Sequence, residues 1–196
     1  MKNFLTITTF LIVISLNISK GHSIEADIFV QSTVNRASEA LNNKFSKEEK
    51  INKLKDIASE TVDIKGIGFY TLGAYRKSIS DSQKKEYEAL FEQYFLKSFA
   101  SRLAEYSNPE IEVVSKKVLN KNYTMVSSIL VSTEQRPEVK IDWRIYTKNL
   151  NDLLIRDLII EGLSLARTQK EEFSSIIQSN DGDINALFST LKEFIK

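Results

Sequence analysis

The stretch GLSLA at residues 162–166 is the part of the sequence that comes nearest to a catalytic motif. It approaches G-x-S-x-G, in which a serine on a sharp strand-to-helix turn acts as a nucleophile. Such a serine needs a neighbouring base, usually histidine, to take its proton. The chain has one histidine, His22, near the N-terminus, and no S-x-x-K context around Ser164. We therefore expect Ser164 to be structural, as the small polar residue that opens a helix after a glycine turn.

Metal and disulfide chemistry find little support in the composition. The chain has no cysteine and one histidine, so the usual zinc, copper and iron sites are not expected. The segment SNDGDIN, residues 179–185, is the one candidate for a calcium loop, but it lacks a distal glutamate at the required spacing. We expect this segment to end one helix and start another.

The N-terminus has the layout of a secretory signal peptide. Lys2 precedes an apolar run at 4–18, which is shorter than the roughly 20 residues that a membrane span needs. Small residues follow, so cleavage is expected after Gly21, Ser23 or Ala26, with an uncleaved anchor as the alternative. We take residues 1–21 as the signal peptide, residues 22–196 as one domain, and the periplasm as the location.

The charge balance gives no reason to expect nucleic acid binding. The chain has 27 Lys and Arg residues and 26 Asp and Glu residues. Removal of the signal peptide, which contains Lys2 and Lys20, would leave a net charge of −1. Without disulfides, an exported domain of this size must be held together by its hydrophobic core.

Helix starts are marked by capping boxes, in which a serine or threonine precedes a glutamate or glutamine by three residues. Ser46 with Glu49, Ser80 with Gln83 and Thr168 with Glu171 fit this pattern, and Asp183 is expected to cap the last helix. The helix after residue 80 carries an aromatic stripe at three- and four-residue steps up to Tyr106. The stripe could be core or the wall of a wide apolar cavity.

Residues 63–77 contain three glycines, which weaken a helix. Two interpretations remain open. The glycines at 66, 68 and 73 permit close packing, or they let the segment hinge so that a cavity can collapse when it is empty.

Four segments rich in β-branched and aromatic residues predict an antiparallel meander at 110–119, 122–133, 138–147 and 153–160. In the third, alternate residues Val139, Ile141, Trp143 and Ile145 share one dry face. The face of the second strand that points inward stays open. Helices, then strands, then helices predict an α+β fold with helices against one sheet face.

Three blocks in this order resemble the MlaC family, the periplasmic phospholipid carriers also called toluene-tolerance auxiliary proteins. They are LGAYRKSISDSQKKEYEALFEQYFLKSFASRLAEY at 72–106, DWRIY at 142–146, and DLIIEGLSLARTQKEEFSSIIQSNDGDINALFSTLKE at 157–193. The resemblance covers most of residues 25–195.

The resemblance implies a twisted antiparallel sheet of about four strands, wrapped by helices that enclose an apolar cavity for a lipid. It implies a carrier of phospholipid, without catalysis or cofactor, in an ABC-type transport system that maintains outer-membrane lipid asymmetry. The partners it implies are an inner-membrane MCE-domain ABC transporter complex and an outer-membrane lipoprotein–porin complex. The expected cavity residues are Phe69, Tyr70, Leu72, Tyr75, Phe91, Phe95, Phe99, Val126, Ile129, Val131, Trp143, Ile145, Leu163 and Leu165. Arg144 is a candidate contact for a headgroup phosphate or for a partner protein.

Rival interpretations are kept in view. An exported protein that binds another apolar ligand, such as a sterol, hopanoid or quinone, would fit the same sequence. A secreted enzyme or an interaction protein with a filled core fits less well.

Overall fold

The computed structural model describes residues 25–134 and 136–196. The predicted signal peptide and His22 lie outside this part of the chain. The N-terminal half is helical, with α1 at Ala26–Ala40, α2 at Lys47–Thr61, α3 at Ile64–Thr71, a 3₁₀ turn at Gly73–Lys77 and α4 at Asp81–Leu103. The described helices include none long and apolar enough to cross a membrane.

The two serine capping boxes of this half are confirmed. The Ser46 hydroxyl accepts a hydrogen bond from the backbone N–H of Glu49, whose side chain bonds back to the N–H of Ser46. Ser80 and Gln83 make the same reciprocal pair at the start of α4. Each box satisfies two backbone donors that a helix leaves unpaired at its start, so the local sequence alone fixes where these helices begin.

Residues 64–71 form a helix despite the glycines. A Cβ at Gly68 would lie 2.7 Å from Cδ1 of Phe91, so the small residue allows α3 to pack closely on α4. Gly73 has a φ of +56°, a conformation that side chains rarely adopt, and it turns the chain out of α3. At Gly68 the contacts support the packing interpretation.

The sheet is an antiparallel meander in the order β1-β2-β3-β4-β5. Its strands are β1 at Ile111–Asn120, β2 at Tyr123–Leu130, β3 at Val139–Tyr146, β4 at Leu154–Ile160 and the short β5 at Leu163–Ser164. The predicted inward face of β3 is confirmed, since Ile141, Trp143 and Ile145 are buried. In β2 the buried residues are Thr124, Val126, Ser128 and Leu130, which settles the question left open by the sequence.

Two helices complete the fold, α5 at Leu165–Gln178 and α6 at Ile184–Ile195. The predicted capping box of Thr168 and Glu171 is wrong, because α5 begins one turn earlier. Ser164 is its N-cap residue, and the Thr168 hydroxyl donates to the Ser164 carbonyl at 3.1 Å. Asp183 caps α6 as predicted, so residues 179–183 do stop one helix and start the next. The α+β fold with an antiparallel sheet is confirmed.

Candidate functional site

An apolar cavity of about 340 Å³ lies between the inner face of the sheet and the helices. Its walls come from α1 to α4, the strands β1 to β4 and the first turns of α5. The volume falls at the lower end of the range of about 300–1,000 Å³ seen for ligand pockets. Two hydrophobic clusters contribute to its lining, a large one that includes Trp143 and a smaller one built around Leu41, Leu54 and Ala100.

Helix α4 contributes both to the core and to the cavity wall. Near its start, Tyr87 is fully buried and its ring stacks 6.1 Å from that of Phe188. Further along, Phe91, Phe95 and Phe99 line the cavity, and the rings of Phe95 and Phe99 stack 5.5 Å apart. The two interpretations of the aromatic stripe therefore both hold, each for a different half of the helix.

The sheet supplies the opposite wall. Leu130, Ile141, Trp143, Leu158 and Ile160 line the cavity from three adjacent strands. The indole Nε1 of Trp143 donates to the Ser128 hydroxyl at 2.7 Å, which satisfies the one polar atom of that side chain. The rest of the ring is left to face the cavity, so this wall is mainly apolar, with Asp157 of β4 as a charged member.

A polar edge runs along α4 and α5. The Tyr94 hydroxyl donates to Oε1 of Gln169 at 2.9 Å and thereby links the two helices. Burial, together with the nearby negative charge of Glu172, raises the pKa of Tyr94 above its ordinary value. Ser98 and Arg102 follow Tyr94 along α4 at four-residue steps and also line the cavity. We define this edge, which continues to Tyr106, as the rim.

Ser164 lies at the junction of β5 and α5, where both roles of its hydroxyl are taken. It donates to Oδ2 of Asp157 at 2.6 Å and accepts from the backbone N–H of Arg167 at 3.1 Å. The other oxygen of Asp157 accepts from the N–H of Ala166 at 3.0 Å. The predicted structural role of Ser164 at a helix start is confirmed. Among the described residues there is no group of three or more carboxylate, histidine or cysteine side chains that could hold a metal ion.

Five of the predicted cavity residues line this cavity. They are Phe91, Phe95, Phe99, Trp143 and Leu165. Three of the five come from the aromatic stripe of α4, one from the dry face of β3 and one from the first residue of α5.

The other nine predicted residues lie elsewhere. Leu72, Val126 and Ile145 are almost fully buried in the core, and Phe69 and Tyr75 pack against it. Tyr70 and Leu163 are exposed, the first on α3 and the second in the short edge strand β5. Ile129 points to the face of β2 opposite Val126, and Val131 follows the end of that strand.

Arg144 is not among the residues that line the cavity. It alternates with Trp143 along β3, and its Nη1 lies 3.7 Å from Oδ2 of Asp157, a buried residue that does line the cavity. A contact of Arg144 with a headgroup phosphate or with a partner protein stays a prediction.

Several lining residues were missed although the sequence carried a signal. Val34, Ala37, Leu54, Ile57 and Ala58 come from the apolar faces of α1 and α2. Both faces are amphipathic in the sequence, but periodicity does not say whether such a face meets protein or open space.

Comparison with known proteins agrees with this architecture. The family model of the MlaC protein matches residues 31–193, and the chain belongs to this family. A solved structure of a phospholipid-binding protein from Ralstonia solanacearum, in complex with a phospholipid, superposes with a TM-score of 0.74. The match covers 88% of this chain and 97% of that chain at 18% sequence identity, which establishes a shared fold.

Proposed function

We propose that this protein binds a phospholipid with its acyl chains in the apolar cavity and carries it between membranes through the periplasm. The observation that carries the proposal is the cavity itself, which is apolar on both walls and bordered by a polar rim. Family membership supports it, and so does the phospholipid complex of a protein with the same fold.

The physical need for such a carrier follows from the hydrophobic effect. Each methylene group removed from water contributes about 0.8 kcal/mol, so the chains of a two-chain lipid, with on the order of 30 methylenes, leave a bilayer extremely slowly on their own. An apolar interior replaces the bilayer. Because apolar contact is not directional, chain length should be discriminated weakly.

A two-chain lipid requires more room than about 340 Å³, so we infer that the walls part on loading. The smaller hydrophobic cluster joins the C-terminal ends of α1 and α4 to the middle of α2, through Leu41, Ala100 and Leu54. We infer that these three segments, held to one another by this cluster, move together relative to the sheet.

The wider setting belongs to the same proposal. A single domain at residues 22–196 would be released by removal of the signal peptide. It would exchange lipid with an inner-membrane MCE-domain ABC transporter complex and an outer-membrane lipoprotein–porin complex, and so maintain lipid asymmetry. No step of this carrier function requires a catalytic residue or a cofactor.

The single tryptophan of the chain offers a direct test, because Trp143 lies in the cavity wall. Phospholipids brominated on the acyl chains should quench its fluorescence, while the same lipids without bromine should not. A lipid brominated on the headgroup is the matched control. Equal quenching by both brominated lipids, or none by either, would contradict chain binding in this cavity.

Native mass spectrometry of the protein recovered from the periplasm gives the second measurement. One added mass that matches a diacyl phospholipid is expected. An added mass that matches a sterol, hopanoid or quinone would show that the cargo is another apolar ligand and not phospholipid. A protein that carries nothing and takes up nothing from vesicles would contradict the carrier function.

A further inference from the structure

Two arginines lie near Tyr106, where the rim of the cavity ends. Arg102, in the last turn of α4, lines the cavity with an exposed side chain. Arg136 comes from the loop between β2 and β3, and its guanidinium carbon lies 5.6 Å from the centre of the Tyr106 ring. Tyr106 itself also lines the cavity. Arg136 does not itself line the cavity, so one cationic group stands in the cavity wall and the second lies behind it, against the ring of Tyr106.

Arg136 is held in place by its own loop. Its backbone N–H and C=O both bond to Thr133, at 3.2 and 2.8 Å. Its Nη2 donates to the Val131 carbonyl at 3.2 Å. Its Nε is buried without a hydrogen-bond partner in the part of the chain that the structure describes. Because Nε is shielded from solvent, an anion from outside the protein would be bound by the remaining N–H groups of Nη1 and Nη2 of this fixed guanidinium.

Neither rim arginine has its charge balanced within the described residues. Arg36, Arg144 and Arg156 each face a carboxylate. By contrast, no ion pair joins Arg102 or Arg136 to an acidic side chain at 25–134 or 136–196. Besides burial, the negative charge of Glu172 raises the pKa of Tyr94 and the positive charge of Arg102 lowers it, so Glu172 and Arg102 both act on this part of the rim.

We propose that Arg102 and Arg136 bind the phosphate group of the lipid cargo at the cavity mouth. The inference rests on the proposed function, because it takes the acyl chains to lie inside the cavity. Guanidinium groups bind phosphate oxygens with two parallel hydrogen bonds, and such charge-assisted bonds are stronger than neutral ones. The chains would then run inward past Tyr106 toward Phe99 and Trp143. A lipid without phosphate would lose this contact and keep the apolar one.

The test compares a phospholipid with a diacylglycerol that has the same acyl chains, using quenching of Trp143 by brominated chains. The variants are Arg102→Gln, Arg136→Gln and both together. Arg76→Gln is the control, since it removes one positive charge from an exposed residue outside the cavity. We expect the double variant to weaken phospholipid binding about 10- to 100-fold. Diacylglycerol binding should stay within about twofold, and the control should bind both lipids like the wild type.

Other outcomes overturn the proposal in distinct ways. Equal weakening for both lipids would mean that the arginines only support the shape of the mouth. No change for either lipid would mean that the phosphate lies elsewhere. Inorganic phosphate that binds to the wild type but not to the double variant, without any change in lipid preference, would make this a site for free phosphate.

A wild-type protein that binds neither lipid would instead refute the proposed function, and this inference with it. Arg102→Gln changes an exposed side chain, so it tests the site even if Arg136→Gln unfolds the protein. A loss of phospholipid preference in that variant is expected, and its absence would count against Arg102.

Discussion

Replacing Ser164 with alanine should lower the free energy of unfolding by about 2.5–4 kcal/mol, because one hydroxyl makes two structural contacts. It caps α5 through the N–H of Arg167, and loss of such a cap costs about 1 kcal/mol. It also donates to Asp157 at 2.6 Å, and a hydrogen bond to a charged group contributes about 1.5–3 kcal/mol. Asp157 is only 4% exposed, so water cannot easily replace the lost donor.

The assay is urea unfolding followed by circular dichroism, with the midpoint compared at an unchanged slope. Ser164→Thr keeps the hydroxyl and should stay within about 1 kcal/mol of the wild type. Ser175→Ala is the matched control, because this exposed serine belongs to the same helix.

The structural argument would be refuted if Ser164→Ala unfolded at the wild-type urea midpoint and also lost an ester-hydrolysing activity that the wild type has. That outcome would return Ser164 to the role of a nucleophile.

Three further predictions concern the helices around the cavity. Burial raises the pKa of Tyr87 above its ordinary value of about 10, so this phenol ionises in the unfolded chain at a lower pH than in the folded protein. The free energy of unfolding should therefore fall as the pH rises beyond about 10. Tyr87→Phe should lower the free energy of unfolding by about 1 kcal/mol at neutral pH, because the hydrogen bond to Thr71 is lost. The variant should also lose less stability than the wild type as the pH rises. Urea midpoints that fall equally with pH in both proteins would contradict this. Gly68→Ala should destabilise the protein by about 1–2 kcal/mol, because the clash with Phe91 outweighs a gain in helix propensity of roughly 1 kcal/mol. A variant that unfolds at a higher temperature than the wild type would disprove the close packing. Ala58→Phe places a ring in the cavity and should at least halve the lipid that copurifies; unchanged lipid content by mass spectrometry would place the chains elsewhere.

The parts of the fold that were predicted well are those whose causes are local in sequence. Ser46 and Ser80 cap helices through partners three residues away, and β3 alternates because one face is dry. The capping box assigned to Thr168 has the right residue types but fails. The reason is that Ser164 is held by Asp157, which the turn between β4 and β5 brings close. A contact across a turn is invisible to a three-residue pattern.

The cavity was predicted less completely than the fold. Whether a residue lines the cavity depends on the face to which its side chain points and also on the distance from that face to the next layer. Val126 and Ile145 point to the same side of the sheet as Trp143, yet both are fully buried, whereas Trp143 reaches the open space. Alternation gives the face of a strand but not the distance from that face to the next layer. The contribution of α1 and α2 was missed for the same reason.

Lipid binding and stability should be coupled in this protein through the size of the cavity. Empty apolar volume costs about 24 cal/mol per Å³, so a void of about 340 Å³ would cost at most about 8 kcal/mol. That is comparable with the whole free energy of unfolding of a typical domain, about 5–15 kcal/mol, and the chain has no disulfide to offset it. Aromatic packing at the start of α4, between Tyr87 and Phe188, can hold one half of that helix to the core while its other half borders the cavity. Because a cargo of acyl chains would remove much of the cost, the loaded protein should be the more stable form, and uptake of lipid should be favoured over an empty state.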